Sequence, residues 1–254
     1  MQRLFTFGCS FTQYWRWPTW ADALGQQSEH FENWGMCGAG NGFIFNSIVE
    51  CNQRNNINKN DTVIVMWTNT SREDRYVGDQ WLPMGNVYWT AGQELPKEYV
   101  QRYACERGYL IRDLAFISAT QTLLDFWGCN WKFLSMVPFS KTNESAELGS
   151  NPEDTVTEDQ DVRTLYRPVL NTIRSSVYET VFNEQWWSGN GIADTYNPQR
   201  RDFHPTPSEH VDYINAVCPE LPLSPATVNW MQNWEQKIRN DADRWPEPNR
   251  PKRL

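Results

Sequence analysis

The chain is poor in histidine and lacks the cysteine spacing of a structural metal site. It has three histidines and six cysteines, and no two cysteines are arranged as C-x-x-C. Zinc sites of the finger type need such pairs, so the pattern argues against a structural zinc ion. We therefore expect free thiols, as is typical of a protein in the reducing cytoplasm.

Long hydrophobic runs and an excess of positive charge are also missing. No apolar run approaches the ~18 residues that a membrane-spanning helix needs, and the N-terminus has no signal-peptide hydrophobic region. Lys and Arg number 23 against 31 Asp and Glu, which gives a net charge of −8. Because nonspecific nucleic-acid binding depends on cationic side chains that neutralise phosphates, we expect a cytoplasmic protein without a membrane or nucleic-acid partner.

Aromatic residues, in contrast, are abundant. The 254 residues include 14 Trp, 10 Tyr and 12 Phe, and 39% of the chain is hydrophobic, enough for a substantial core. Aromatic side chains pack cores, and their faces also stack on the apolar faces of sugars and other flat ligands. The composition leaves both interpretations open.

Hydrophobic patterning predicts strands that alternate with helices. Strands are expected at residues 3–8, 30–34, 62–67 and 131–137. Helices are expected at about residues 18–26, 41–54, 112–127, 162–183, 207–217 and 225–240. The run at 62–67 is β-branched and continuously apolar, as in a strand covered on both faces. This alternation predicts an α/β fold, a parallel sheet with helices on both faces.

The chain length suits one domain, which we assign to residues 1–240. An aromatic-rich insertion at about 71–112 interrupts the alternation, and we expect a long ordered loop that serves as a lid, a binding wall or an oligomer contact. Residues 140–161 and 188–207 are expected to be loops. The Pro-rich segment 241–254 is expected to be a flexible tail.

Three polar or glycine positions directly follow predicted strands: Ser10, Gly38 and Asn69. The carboxyl ends of parallel strands share one edge of a sheet, where ligands usually bind. A serine hydroxyl becomes a nucleophile when a base takes its proton. Of the three histidines, His204 is the best base, with Asp202 close enough to orient its ring.

The other two histidines are expected to have no catalytic role. His30 lies near a predicted strand start and is expected to be structural. His210 falls inside the predicted helix at 207–217, where we expect it to face solvent or a neighbouring side chain.

These residues, in this order, resemble the four blocks of the SGNH (GDSL-type) hydrolases, including phage-encoded members. The resemblance spans about residues 3–217 and implies a three-layer α/β/α sandwich with a mainly parallel, flavodoxin-like sheet. It implies a serine nucleophile, a block glycine, a block asparagine and an Asp–His pair. In this sequence they are Ser10, Gly38, Asn69, Asp202 and His204.

Two positions depart from the family pattern. Cys9 stands where the family commonly has Asp, a position without a catalytic role. Asp202 precedes His204 by two residues, whereas the family usually has a spacing of three. Asp202 could then meet the ring at another angle, a remote carboxylate such as Asp194 could orient it, or Ser10 and His204 could form a dyad.

The resemblance and general chemistry imply an esterase mechanism. Ser10 attacks an ester carbonyl while His204 takes its proton and later returns it to the leaving alcohol. The oxyanion is expected to bind the backbone N–H groups of Ser10 and Gly38 and the side-chain amide of Asn69. No cofactor or metal is needed. The aromatic insertion favours a carbohydrate O-acetyl ester as substrate, ahead of a small lipid ester or thioester.

Two other functions stay open. A catalytically silent glycan-binding or structural protein, such as a virion component, could have kept this fold, because fold alone does not settle function. A thiol mechanism through Cys9 is disfavoured, because the strand pleat should point Cys9 away from Ser10.

Overall fold

Four parallel strands form the central sheet in a computed structural model that describes residues 1–88, 95–139, 159–183, 192 and 202–240. They are β1 (Arg3–Phe7), β2 (His30–Asn33), β3 (Asp61–Trp67) and β6 (Asn130–Ser135), in the spatial order β2-β1-β3-β6. All three pairings are parallel. The predicted α/β fold with a parallel sheet is therefore confirmed.

Both faces of the two central strands are buried, which explains their composition. In β3, every side chain from Val63 to Trp67 is fully buried, and in β1 Leu4, Phe5 and Phe7 are as well. A strand covered on both sides cannot alternate apolar with polar residues. The continuous apolar run that identifies β3 in the sequence is thus the direct consequence of its central place.

Five of the helices that the structure describes form two packed groups beside the sheet. They are α1 (Trp20–Gly25), α2 (Asn41–Asn55), α4 (Glu106–Trp127), α8 (Pro207–Val217) and α9 (Pro225–Arg239). Contacts divide them into two groups, with α2 packed on α4, and α1 packed on α8 and α9. Right-handed crossovers place α1 on one face of the sheet and α2 and α4 on the other, so helices flank both faces.

The strand order reverses at β1, because the chain passes first to β2 on one side and then to β3 on the other. In open parallel sheets, ligands bind outside the carboxyl ends of the strands at such a reversal. Ser10 follows the carboxyl end of β1 and Asn69 follows that of β3. The topology therefore brings these two residues to the same edge of the sheet.

The insertion differs from the long loop that the sequence predicted. Residues 72–86 form an antiparallel hairpin of β4 (Arg72–Val77) and β5 (Gln80–Asn86), and α3 (Lys97–Tyr103) follows. Helix α4 begins at Glu106, so the last residues of the predicted insertion form the first turns of that helix. Cys105 caps α4 by accepting a hydrogen bond from the N–H of Gly108.

The single helix predicted over residues 162–183 is wrong. Three short helices occupy this region: α5 (Gln160–Leu165), α6 (Arg167–Leu170) and α7 (Val177–Thr180). Pro168 lies in the first turn of α6, the one place in a helix that tolerates its missing N–H. Ile173 pairs with Phe133 as an isolated parallel bridge, so this segment extends the sheet by one contact beyond β6.

Several predicted features lie outside the described residues. These are most of the loops at 140–161 and 188–207, and the whole tail at 241–254. Among the helices that the structure describes, none combines the length and the apolar character that a membrane crossing requires. All six cysteines are described, and all are free thiols.

Candidate active site

Ser10 lies in a tight turn that follows β1. The backbone carbonyl of Cys9 accepts hydrogen bonds from the N–H groups of Thr12 (2.9 Å) and Gln13 (3.1 Å). The side chains of Thr19 and Asn33 both donate to the carbonyl of Thr12, at 2.6 and 2.8 Å. These bonds attach the turn to the start of α1 and to β2. The turn therefore gives Ser10 a rigid place at the edge of the sheet.

The two neighbouring side chains in this turn have different surroundings. Ser10 is 8% exposed, whereas Cys9 is completely buried and its Sγ lies 3.8 Å from Sδ of Met136. The thiol thus packs in the core, where a substrate cannot reach it without rearrangement. This burial weighs against the thiol mechanism.

Asp202 and His204 form a hydrogen-bonded pair despite their two-residue spacing. Nδ1 of His204 lies 2.8 Å from Oδ1 of Asp202, and the backbone N–H of His204 donates to the same oxygen at 2.9 Å. An ionised carboxylate only accepts hydrogen bonds, so Nδ1 carries the proton and the neutral ring has its lone pair on Nε2. Asp194, the remote alternative, lies outside the described residues.

The second oxygen of Asp202 is bound by the nucleophile segment. The hydroxyl of Tyr14 donates to Oδ2 at 2.6 Å, and a guanidinium N–H of Arg16 donates to it at 3.1 Å. Burial alone would raise the pKa of Asp202, but the bonds from His204 and Tyr14 outweigh it and lower the pKa to about 2. Asp202 is therefore a carboxylate at neutral pH.

Aromatic rings from the same segment hold the imidazole in place. The ring of Tyr14 stacks on that of His204, with centroids 3.9 Å apart and planes 17° from parallel. Phe11, the residue after Ser10, meets the imidazole edge-on at 5.5 Å. The structure thus brings His204 to the turn that carries Ser10, although about 190 residues separate them in the chain.

Gly38 occupies a turn that follows β2, with a backbone φ of +77° that favours glycine. A Cβ there would lie 3.6 Å from Pro83, an ordinary contact, so φ and not the space on that side requires glycine. The backbone N–H groups of Ser10 and Gly38 donate to no acceptor within the described parts of the chain. Two of the three expected oxyanion donors are therefore uncommitted.

Asn69 is buried beyond the end of β3, and its Oδ1 accepts a hydrogen bond from the N–H of Ser71 at 2.7 Å. That bond fixes the plane of the amide. The preceding residue, Thr68, is held through both its backbone N–H and its carbonyl by the side chain of Asn41, which also donates to the carboxylate of Asp113. The segment that carries Asn69 is thus anchored to α2 and α4.

The two remaining histidines have structural surroundings. His30 lies on β2, where its Nε2 is 3.0 Å from a carboxylate oxygen of Glu32. His210 is 1% exposed, so of the two expected surroundings it faces neighbouring side chains and not solvent. Neither of its ring nitrogens has a hydrogen-bond partner among the described residues, and burial lowers its pKa to about 3, with a smaller contribution from the nearby imidazole of His204.

Sequence reasoning missed the residues that support the candidate catalytic ones. Tyr14 and Arg16 follow Ser10 closely, but nothing in their spacing points to a carboxylate 186 or more residues away. Asn41 sits at the start of a predicted helix, where an amide is common as a capping residue. Only the folded geometry shows that its side chain bridges two other elements.

Comparisons with known proteins give little beyond this geometry. No family model and no curated protein matches the chain. Among solved structures, the chain is similar to a GDSL-like lipase from Bacteroides thetaiotaomicron VPI-5482, with a TM-score of 0.40 and 12% sequence identity over 86% of each chain. A likeness of this degree does not assign an activity.

The buried, unpartnered His210 makes a specific contribution to acid sensitivity. In the unfolded chain this histidine binds a proton below its usual pKa of 6.5, while in the folded protein its pKa is about 3. Stability that is present at neutral pH is therefore lost as the pH falls below 6.5. Between pH 7.5 and pH 5, this single group should lower the free energy of unfolding by about 2 kcal/mol.

The variant His210→Leu should lose about 2 kcal/mol less than the wild type over that interval, as measured by urea denaturation at both pH values. His210→Gln, which keeps a polar side chain but cannot bind a proton, is the matched control and should show the same reduced pH dependence as His210→Leu. Equal pH dependence of His210→Leu and the wild type would show that His210 binds a proton over the same pH range in the folded protein as in the unfolded chain.

Proposed function

We propose that this protein is a serine hydrolase that cleaves carboxylic esters, with Ser10 as nucleophile, His204 as general base and Asp202 as the orienting carboxylate. The hydrogen bond between Asp202 and His204, with the imidazole held against the Ser10 turn, carries this proposal. A base oriented by a third group and placed beside a candidate nucleophile is the arrangement that activates a serine hydroxyl.

The reaction proceeds in two balanced halves. Oγ of Ser10 bonds to the carbonyl carbon while Nε2 of His204 takes the hydroxyl proton, and the C–O bond to the alcohol then breaks as His204 returns that proton to the alcohol. Water repeats the sequence on the acyl-enzyme, which releases the acid and restores Ser10. The ionised Asp202 stabilises the imidazolium that forms in each half.

The developing negative charge is assigned to three donors: the N–H groups of Ser10 and Gly38, and the side-chain amide of Asn69. The two backbone groups support the assignment because they donate to none of the described residues. Removing one such donor typically costs about 10²–10³-fold in turnover. The rigidity of the three segments suits this role, since fixed donors need no reorganisation during the reaction.

Replacing Ser10 by Ala is the primary test. We expect wild-type protein to hydrolyse p-nitrophenyl acetate, and Ser10→Ala to lose at least about 10³-fold in kcat because no nucleophile replaces the hydroxyl. The control is Ser118→Ala, a partly exposed serine on α4 that should keep the wild-type rate. Equal rates for Ser10→Ala and the wild type would refute the proposed esterase function and favour a catalytically silent binding protein.

For the substrate, we propose an O-acetyl ester of a carbohydrate. Support comes from aromatic rings that the insertion exposes: Tyr76 on β4 is 50% exposed and Tyr103 on α3 is 58% exposed. Tyr76 meets Trp81 edge-on across the hairpin, and the base of this hairpin contacts the Gly38 loop. Exposed aromatic faces on an element that contacts the Gly38 loop suit the apolar faces of sugar rings.

Activity should therefore be highest on acetylated sugars and fall as the acyl chain of a p-nitrophenyl ester lengthens. Tyr76→Ala should raise the KM for an acetylated oligosaccharide several-fold while leaving p-nitrophenyl acetate turnover unchanged. Tyr166→Ala, at a tyrosine outside the insertion, is the control. Activity that rises with acyl length and is absent on acetylated sugars would refute the carbohydrate preference.

A further inference from the structure

The hairpin formed by β4 and β5 is attached to the loop that carries Gly38. Three consecutive residues of the loop each make a hydrogen bond to it. Gly38 accepts from the N–H of Gly85 at 3.2 Å, and the carbonyl of Ala39 accepts from the guanidinium of Arg72 at 3.0 Å. The N–H of Gly40 completes the set by donating to Oδ1 of Asp74 at 2.8 Å. The loop is therefore fixed from the hairpin side.

Asp74 also caps the N-terminus of α2, whose own N-cap residue has no side chain to do so. The residue before α2 is Gly40, which has no side chain to accept the unpaired N–H groups of the first turn. Oδ2 of Asp74 accepts from the N–H of Phe43 at 2.8 Å, while Oδ1 binds Gly40. One carboxylate from a distant strand thus satisfies two donors at the start of the helix.

The packing around Gly40 leaves no room for a side chain at this position. A Cβ on Gly40 would lie 2.7 Å from Oδ2 of Asp74 and 2.9 Å from Cβ of Arg72, so a larger residue would displace the hairpin. Burial raises the pKa of Asp74, and the two N–H donors, with Arg112 and Arg72 nearby, act in the opposite direction. The partly buried carboxylate of Asp74 is thus held in place by the N–H groups of Gly40 and Phe43.

We propose that Asp74 is a positioning residue for the oxyanion hole: by capping α2 and binding Gly40, it fixes the Gly38 loop so that the N–H of Gly38 points at the substrate oxygen. This role rests on the proposed esterase function. It also makes the hairpin a structural wall of the site, in place of a movable lid. Displacing an oxyanion donor lowers transition-state stabilisation and leaves ground-state binding largely unchanged.

The test compares Asp74→Asn and Asp74→Ala with Asp79→Asn, which removes the same charge from the exposed tip of the same hairpin. Three quantities are measured at a temperature where circular dichroism shows each variant to be folded. They are kcat and KM on p-nitrophenyl acetate, and the inhibition constant of a trifluoromethyl ketone. The adduct of Ser10 with this ketone places an anion where the oxyanion would form.

We expect Asp74→Ala to lose about 10–100-fold in kcat with KM within about twofold of the wild type, and to bind the ketone more weakly by the same factor. Asp74→Asn has nearly the same shape and keeps one acceptor oxygen, so it should give an intermediate loss even if the alanine variant does not fold. Asp79→Asn should match the wild type in all three quantities.

The outcomes separate this inference from the esterase itself. If Ser10→Ala is inactive but Asp74→Asn keeps the wild-type kcat and ketone affinity, the positioning role is wrong and the esterase stands. A lower melting temperature for Asp74→Asn with unchanged kcat and ketone affinity would also overturn it, because Asp74 would then contribute only stability. If Ser10→Ala is as active as the wild type, the proposed function fails first.

Discussion

The carboxylate of Asp202 joins the segment that follows β1 to the segment that precedes α8. One of its oxygens accepts two hydrogen bonds from His204, and the other accepts from Tyr14 and Arg16 in the segment that follows Ser10. A buried carboxylate needs such donors, since its burial without them would be costly. The same contacts that satisfy the charge also set the candidate base beside the candidate nucleophile.

The order of the strands determines which other segments lie beside the Ser10 turn. The reversal at β1 places the segments after β1 and β3 side by side, and the loop after β2 lies next to them. Each segment is then fixed by a different element: the Ser10 turn by Thr19 and Asn33, the Asn69 segment by Asn41, and the Gly38 loop by the hairpin. The insertion therefore holds in place one of the loops that carry candidate site residues, the Gly38 loop.

Most of the fold could be predicted from periodicity, because central parallel strands must be apolar on both faces, as β3 shows. The pair of Asp202 and His204 could be predicted because the residues are only two positions apart in sequence. The division of residues 160–180 into three short helices could not be predicted in this way. Between α6 and α7, Ile173 pairs with Phe133 at the edge of the sheet, a contact that helical periodicity does not reveal. The buried state of His210 and the cap that Asp74 provides could not be predicted either, because both depend on contacts between distant segments.

In the proposed function, His204 activates the hydroxyl of Ser10. Reaction with a fluorophosphonate tests it most directly, because a serine oxygen that attacks phosphorus expels fluoride and leaves a stable adduct that mass spectrometry can locate. We expect a single adduct on Ser10 in the wild type and labelling slowed at least about 100-fold in His204→Gln, which lacks the base. An adduct on Cys9, or no adduct at all, would contradict it.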